Sequence, residues 1–312
     1  MGSNICVSGG AGFIGSHVAE ALVAAGHTVH IVDDLSSGCK DNVPAGAQLH
    51  VFDIRSPEAA DLLAAADIEI LVHHAAQMDV RRSVADPRFD ADVNIGGLLN
   101  LLEGGRHGTL RQVVFASTGG AIYGEQETYP ASEEHPQRPI CPYGVSKLAG
   151  ERYLYFYHHE YGLDVTCLRY ANVYGPRQNP HGEAGVVAIF LDRLLSGHQP
   201  VINGAGTQTR DYVYVGDVVR ANLASIGRPG FHTYNVGTGI ETDVNALYDV
   251  LRTALGSEVM ATHGPAKPGE QRRSCISAAR LEAELGVHVD TPLAKGLHLT
   301  AAWFRSRADV GE

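Results

Sequence analysis

Over the first 170 residues, short runs rich in Val and Ile alternate with segments of helical apolar spacing, and this rhythm restricts the chain to few folds. The runs "NICVSG", "HTVHIVDD", "QLHVFDI", "IEILVHHAA", "RQVVFAST" and "DVTCLRY" read as buried strands. Between them, "FIGSHVAEALVAAG", "SPEAADLLAAA", "DPRFDADVNIGGLLNLLEGG" and "SKLAGERYLYFYHHEYG" read as helices that end near glycine. Strict alternation predicts an α/β fold built on a doubly wound parallel sheet.

After Tyr170 the rhythm loosens. "NVYGPRQNPHGEAG" reads as a long loop on the ligand side, followed by a helix "VVAIFLDRLLSG", short strands "PVING" and "TRDYVYVGD", and further helices near "VNALYDVLRTALG", "AARLEAELG" and the C-terminus. The expected division is a dinucleotide-binding domain over residues 1–170 and a smaller α/β region over 171–312, with segments near 206–240 returning to the first.

At 312 residues and 44% hydrophobic composition the chain is long enough for a full core. A formal net charge of −11 argues against a polyanionic partner, so no nucleic acid is expected. No apolar run approaches the roughly 18 residues of a membrane span, and no secretory leader pattern opens the chain. The five cysteines, Cys6, Cys39, Cys141, Cys167 and Cys275, are scattered. That favours a reducing, cytoplasmic setting, and neither they nor the pairs His73-His74 and His158-His159 show the spacing of a metal site.

The loop "SGGAGFIGS" places Gly9, Gly12 and Gly15 between the first strand and the first helix. Glycines there permit a tight turn, close approach of backbone N–H groups to a pyrophosphate, and close helix packing, as in a Rossmann fold. The second strand ends at Asp33, with Asp34 beside it, where a carboxylate binds adenosine ribose hydroxyls and repels a 2′-phosphate. NAD is therefore favoured over NADP.

Further on, "PYGVSK" sets Tyr143 and Lys147 four apart, on one face of a helix. A free tyrosine has a pKa near 10, and a lysine one turn away favours the phenolate, making a base usable near neutrality. Such a pair is common by chance, but strand five ends in "FASTGGAIYG", which brings Ser117 and Thr118 to the carboxyl edge of the sheet. A hydroxyl there can bond the same substrate oxygen that the tyrosine deprotonates.

"SGGAGFIGS", "DDLSSG", "HHAAQ", "STGGAIYGE", "PYGVSK", "LRYANVYGPRQ" and "TRDYVYVGDV" stand in the order seen in the extended short-chain dehydrogenase/reductase family, and within it the chain resembles the nucleoside-diphosphate-sugar 4-epimerases. The resemblance implies NAD held by Gly9, Gly12, Phe13, Ile14 and Gly15, with Asp33, Asp34, Leu35 and Ser36 at the ribose. Asp53 and Ile54 would border the adenine, and Ala75, Ala76 and Gln77 the path to the nicotinamide. Thr118, Tyr143 and Lys147 match the catalytic set. Asn172, Gly185, Val186 and Arg210 match residues that grip the UDP part of a UDP-sugar. The second basic ligand is usually an arginine, but the chain has "KPGE", so Lys267 and Glu270 stand in a variant pattern. Ser274 falls where such enzymes border the sugar, and a small side chain there leaves room for an N-acetyl group.

The resemblance further implies catalysis through a 4-keto sugar and a homodimer formed on the aromatic helix after Tyr143. A 4,6-dehydratase needs an acidic pair where Gly119 and Gly120 stand. Arg81 and Arg82 leave a uronate substrate open, although a solvated basic pair is the simpler reading. A non-catalytic NAD-binding sensor would need the glycine loop but not Thr118, Tyr143 and Lys147 together.

Overall fold

The computed structural model describes residues 2–180, 185–266 and 271–308. Its elements run β1 (Asn4–Ser8), α1 (Phe13–Ala24), β2 (Thr28–Val32), β3 (Ala47–His50), α2 (Pro57–Ala65), β4 (Ile70–His73), α3 (Val80–Ala85), α4 (Pro87–Ala91), α5 (Gly97–Arg106), β5 (Gln112–Thr118), α6 (Gly119–Ile122), α7 (Pro142–Tyr161) and β6 (Asp164–Tyr170). There follow β7 (Asn172–Tyr174), α8 (Val186–Leu195), β8 (Val201–Asn203), β9 (Thr209–Tyr214), α9 (Val215–Ser225), β10 (Phe231–Val236), β11 (Glu241–Asp243), α10 (Val244–Leu255), β12 (Thr262–Gly264), α11 (Ala279–Leu285) and α12 (Leu293–Ala308).

The expected doubly wound sheet is present: seven strands in the order β10-β6-β5-β4-β1-β2-β3, all pairings parallel. Its strands carry Val and Ile on both faces because helices cover both. One face packs Ile5, Val7, Ile31, Val72 and Val114 against α1 and α9. The other packs Cys6, Leu71, Val113 and Phe115 against Leu63, Leu98, Leu101 and Leu154 from α2, α5 and α7. The chain order reverses between β1 and β4, and in such sheets the crevice at the carboxyl ends of those two strands is the ligand site.

Helix boundaries follow local chemistry. Pro142 opens α7 where its missing N–H costs nothing, and Gly162, at φ +71°, closes it in the left-handed conformation that favours glycine. The stretch expected as one helix over residues 86–105 is instead α4, a π-helical turn over Asp92–Gly96, and α5. The wider turn turns Asn94 inward, where its amide exchanges hydrogen bonds with the Gln77 backbone.

In the second half, β7 lies inside the stretch read as loop, and neither α9 nor β10 was visible in the apolar pattern. A three-stranded sheet β11-β9-β7 and a β12-β8 pair stand apart from the main sheet. They pack with α8, α10 and α12 over Phe190, Leu191, Leu247, Leu251 and Leu297. Among the described residues, no helix is long and apolar enough to cross a membrane.

Candidate active site

The three glycines of the first loop are required for three different reasons. Gly9 adopts φ +71°, and a Cβ there would stand 2.6 Å from the Ala75 nitrogen. A Cβ on Gly15 would meet the Gly9 carbonyl at 2.2 Å, so glycine lets α1 pack onto the loop. At Gly12 a Cβ would meet only the Gly9 oxygen, at 3.2 Å, and otherwise open space. Gly12 is the N-cap of α1, no side chain caps that end, and no acidic residue occupies its first turn. An uncapped helix start with a smooth, Cβ-free approach fits a pyrophosphate. Phe13 and Ile14, half-buried, form that first turn.

Asp33 is buried at the end of β2. Its Oδ2 accepts from the Ala11 N–H and its Oδ1 from the Leu35 N–H, each at 2.9 Å. Burial raises its pKa, and these backbone donors work in the opposite direction. Asp33 therefore braces the glycine loop. Asp34 accepts from the Ser36 N–H and hydroxyl, holding a turn in which Leu35 sits at φ +59°. Asp53 is held by Arg55 at 2.6 Å, which keeps its carboxyl below the usual range, and Arg55 also reaches Asp92 at 2.7 Å. Ile54 is buried beneath α5, where a Cβ on Gly97 would lie 2.4 Å from its Cδ1.

Beyond β4, Ala75 and Ala76 are half-buried and Gln77 is buried. The Gln77 amide is engaged inside the protein, donating to the Asp79 carbonyl and to Asp90 Oδ1 and accepting from the Asp79 N–H. Its backbone N–H and carbonyl are likewise engaged, with the Asn94 amide, so Gln77 is held from both sides as part of the scaffold behind the crevice. His73 bonds Ser8 across β1 and β4 at 2.7 Å, and burial holds both His73 and His74 far below their usual pKa, the latter to about 3. Both rings are neutral. Among the described residues, no cluster of His, Cys, Asp or Glu could hold a metal ion.

Thr118 ends β5, and Tyr143 and Lys147 lie in the first turns of α7. Close packing of α6 on α7 joins them: a Cβ on Gly144 would lie 2.9 Å from the Ala121 carbonyl. Lys147 is buried, donates from Nζ to the Ala116 carbonyl at 2.9 Å, and stands 4.9 Å from the Phe115 ring centroid and 6.0 Å from that of Tyr143. Burial lowers its pKa from 10.5 to about 8, with Asp90 acting in the opposite direction. At Gly120, a Cβ would be 3.8 Å from Thr118 Oγ1 and 3.9 Å from Asn172 Oδ1, so those two polar groups flank one small opening.

Asn172 and Arg210 lie on adjacent strands, with Asn172 registered against Tyr212, two residues beyond Arg210. Arg210 is half-buried and donates from Nη1 to the Thr209 carbonyl at 2.8 Å. Gly185 is the uncapped N-cap of α8, and Val186 is that helix's first residue. Ser274 is buried, beside Cys275, whose N–H donates to Gln126 Oε1 at 2.9 Å. Lys267 and Glu270 lie outside the described residues. Arg82 stacks over the Phe89 ring at 4.1 Å, on the exposed side of α3.

Sequence reading missed the polar cluster beneath these residues. Asp90 is buried in α4 and joins Gln77, Asn94 and Ser146. Asp90 stands between Asp86 and Asp92 in the sequence, and nothing in that spacing sets it apart as the buried one.

The NAD dependent epimerase/dehydratase family model matches residues 5–237. A UDP-glucose 4-epimerase from Mycolicibacterium smegmatis is 43% identical, over 97% of this chain and 98% of that protein. The crystal structure of UDP-glucose 4-epimerase with UDP-glucose from Thermotoga maritima superposes with a TM-score of 0.95 at 44% identity, covering 97% of this chain and 99% of that one. The crystal structure of the Thermus thermophilus UDP-glucose 4-epimerase complex with NAD gives 0.91 at 43% identity, with the same coverage.

Proposed function

The chain belongs to the NAD-dependent epimerase/dehydratase family, one of the extended short-chain dehydrogenases/reductases, and from that membership we propose that it is an enzyme that inverts C4 of a UDP-sugar of the UDP-glucose/UDP-galactose type. The observation that carries this reading is the buried Lys147 ammonium one helical turn from Tyr143 at the carboxyl edge of the sheet.

The cradle formed by Gly9, Gly12, Phe13, Ile14 and Gly15 fits the pyrophosphate of NAD, with Asp33, Asp34, Leu35 and Ser36 at the adenosine ribose, Asp53 and Ile54 near the adenine, and Ala75, Ala76 and Gln77 along the path to the nicotinamide. When bound, NAD supplies a reversible acceptor for the C4 hydride. Tyr143 removes the 4-hydroxyl proton, and Lys147 favours the phenolate electrostatically. Thr118 orients the sugar oxygen. Asn172, Gly185, Val186 and Arg210 hold the UDP part, Arg210 through the planar fork that suits phosphate. The 4-keto sugar turns its other face while tethered, and Tyr143 returns the proton to the inverted alcohol.

The functional division at about residue 170, the cytoplasmic setting and the homodimer belong to this proposal. The dimer is supported by the outer face of α7, where Val145, Tyr153, Tyr155, Phe156 and Tyr161 are all exposed. Light scattering at micromolar concentration tests it, and a monomer overturns it.

To test the reaction, purified protein is incubated separately with UDP-glucose, UDP-GlcNAc and UDP-glucuronate without added NAD, and the C4 epimers are followed by NMR. Conversion of UDP-glucose is expected. Conversion of none of the three removes the reading.

A further inference from the structure

Asp90 is fully closed off from solvent, and its hydrogen-bond partners are neutral. Its Oδ1 accepts from Gln77 Nε2 and Asn94 Nδ2, each at 3.0 Å, and its Oδ2 from Ser146 Oγ at 2.6 Å. A carboxylate in such a place is costly unless hydrogen bonds and a nearby cation offset its desolvation. The hydrogen bonds tie the segment after β4, the π-helical turn and α7 to one atom pair. Ser146 immediately precedes Lys147, so the tie acts on the turn that carries the ammonium.

We propose that Asp90 is a positioning residue for the reaction, providing the counter-charge of Lys147 and, through Ser146, fixing the turn of α7 from which Lys147 and Tyr143 project. This rests on Lys147 serving Tyr143 as described above. Burial and Asp90 act on the Lys147 ammonium with opposite sign, and the balance leaves it protonated at neutral pH.

The other ionisable groups around Lys147 do not supply that counter-charge. His73 and His74, from β4 and the residue after it, are neutral and would oppose the ammonium if protonated. Strand β5 and helix α6 carry no ionisable side chain. Glu151, farther along α7, is paired with Arg169 of β6 at 2.6 Å and accepts from Ser117. Asp92, in the π-helical turn, bonds Arg55, and Arg81 and Arg82 of α3 are exposed. Tyr143 is the group that the ammonium serves.

The test follows the lysine directly. The chain has four lysines, Lys40, Lys147, Lys267 and Lys295, so protein labelled with 13C at the lysine ε-carbon gives few signals, and a Lys147→Met variant assigns the one of interest. Asp90→Asn is expected to lower the Lys147 titration midpoint by about one pH unit or more, as loss of a nearby opposite charge does. It should also reduce kcat at pH 7 by about tenfold or more, with KM for the sugar nucleotide little changed. Adding Gln77→Glu to Asp90→Asn returns a carboxylate to the cluster and should restore the midpoint, which a purely packing role would not do.

An unmoved midpoint in folded Asp90→Asn overturns the proposal. If that variant does not fold, Ser146→Ala decides: a lowered kcat with a near-normal midpoint supports the grip on the turn, and wild-type kcat overturns it. Absence of epimerase activity in the unaltered protein strikes the functional reading instead, and the titration remains readable.

Discussion

The Lys147 ammonium donates to the Ala116 carbonyl across 2.9 Å, binding the catalytic helix to the end of β5 with a charge kept out of water. This placement should cost stability. Its pKa falls from 10.5 to about 8 in the folded protein, equivalent to about 3 kcal/mol. Below pH 8 the lysine is protonated in both states and the full cost is present. Between 8 and 10.5 the unfolded chain binds the extra proton, so stability rises with pH. Wild-type stability should therefore rise between pH 8 and 10, and Lys147→Met, which has no ammonium to titrate, should lack that share of the rise while turnover collapses. Identical pH dependence of the two denaturation midpoints over this range would show that the buried charge costs nothing.

Tyr143→Phe removes one oxygen and leaves α7 in place. Turnover should fall by about 10²–10⁴-fold, while NAD released on denaturing the purified variant remains near wild-type yield. Near-normal turnover would exclude Tyr143 as the base.

The loop glycines separate packing from binding. Gly15→Ala sets a methyl 2.2 Å from the Gly9 oxygen, which should destabilise the fold by about 1–3 kcal/mol and weaken NAD binding. Gly12→Ala meets its nearest atom only at 3.2 Å, so it should lower NAD affinity with a smaller change in melting temperature. Thermal unfolding without NAD, combined with an NAD titration, distinguishes the two.

The Glu151–Arg169 pair is 2.6 Å apart with 3% and 4% side-chain exposure. Glu151→Met strands a buried guanidinium, for a loss of about 3–5 kcal/mol. The double variant with Arg169→Met should recover part of that loss. Chemical denaturation that finds the two losses additive would show the pair to be uncoupled.

Ser274 is buried and small. Ser274→Tyr should reduce conversion of UDP-GlcNAc relative to UDP-glucose, measured as a ratio of kcat/KM. An unchanged ratio would place Ser274 away from the sugar.

What was legible in the sequence is what fixed local spacing carries. The glycine loop, the strand-to-helix rhythm and the Tyr143/Lys147 pair each lie within one element junction, so residue spacing alone locates them. Strand β10 was not visible because its partner β6 precedes it by a whole excursion of chain, and half-buried residues such as Phe231 and His232 blur its pattern. The Asp90 cluster was hidden for a related reason. Its partners Asn94, Gln77 and Ser146 lie 4, 13 and 56 residues away, and the π-helical turn that gathers them leaves little trace in an apolar pattern. Gln77 shows the limit of motif position, which predicted its neighbourhood but not the direction of its amide.

Because one of the two outermost strands of the main sheet, β10, is made of residues 231–236, that edge reaches the ribosome exit only after the β7, β8 and β9 segments have emerged. Until then β6 presents an open row of backbone donors and acceptors, the kind of edge that invites pairing with another chain. A nascent or truncated product ending before residue 231 should therefore aggregate or recruit chaperones. Proteolysis between β6 and β7 should likewise fail to yield two separately soluble halves, since the cut leaves one strand of the sheet on the wrong fragment.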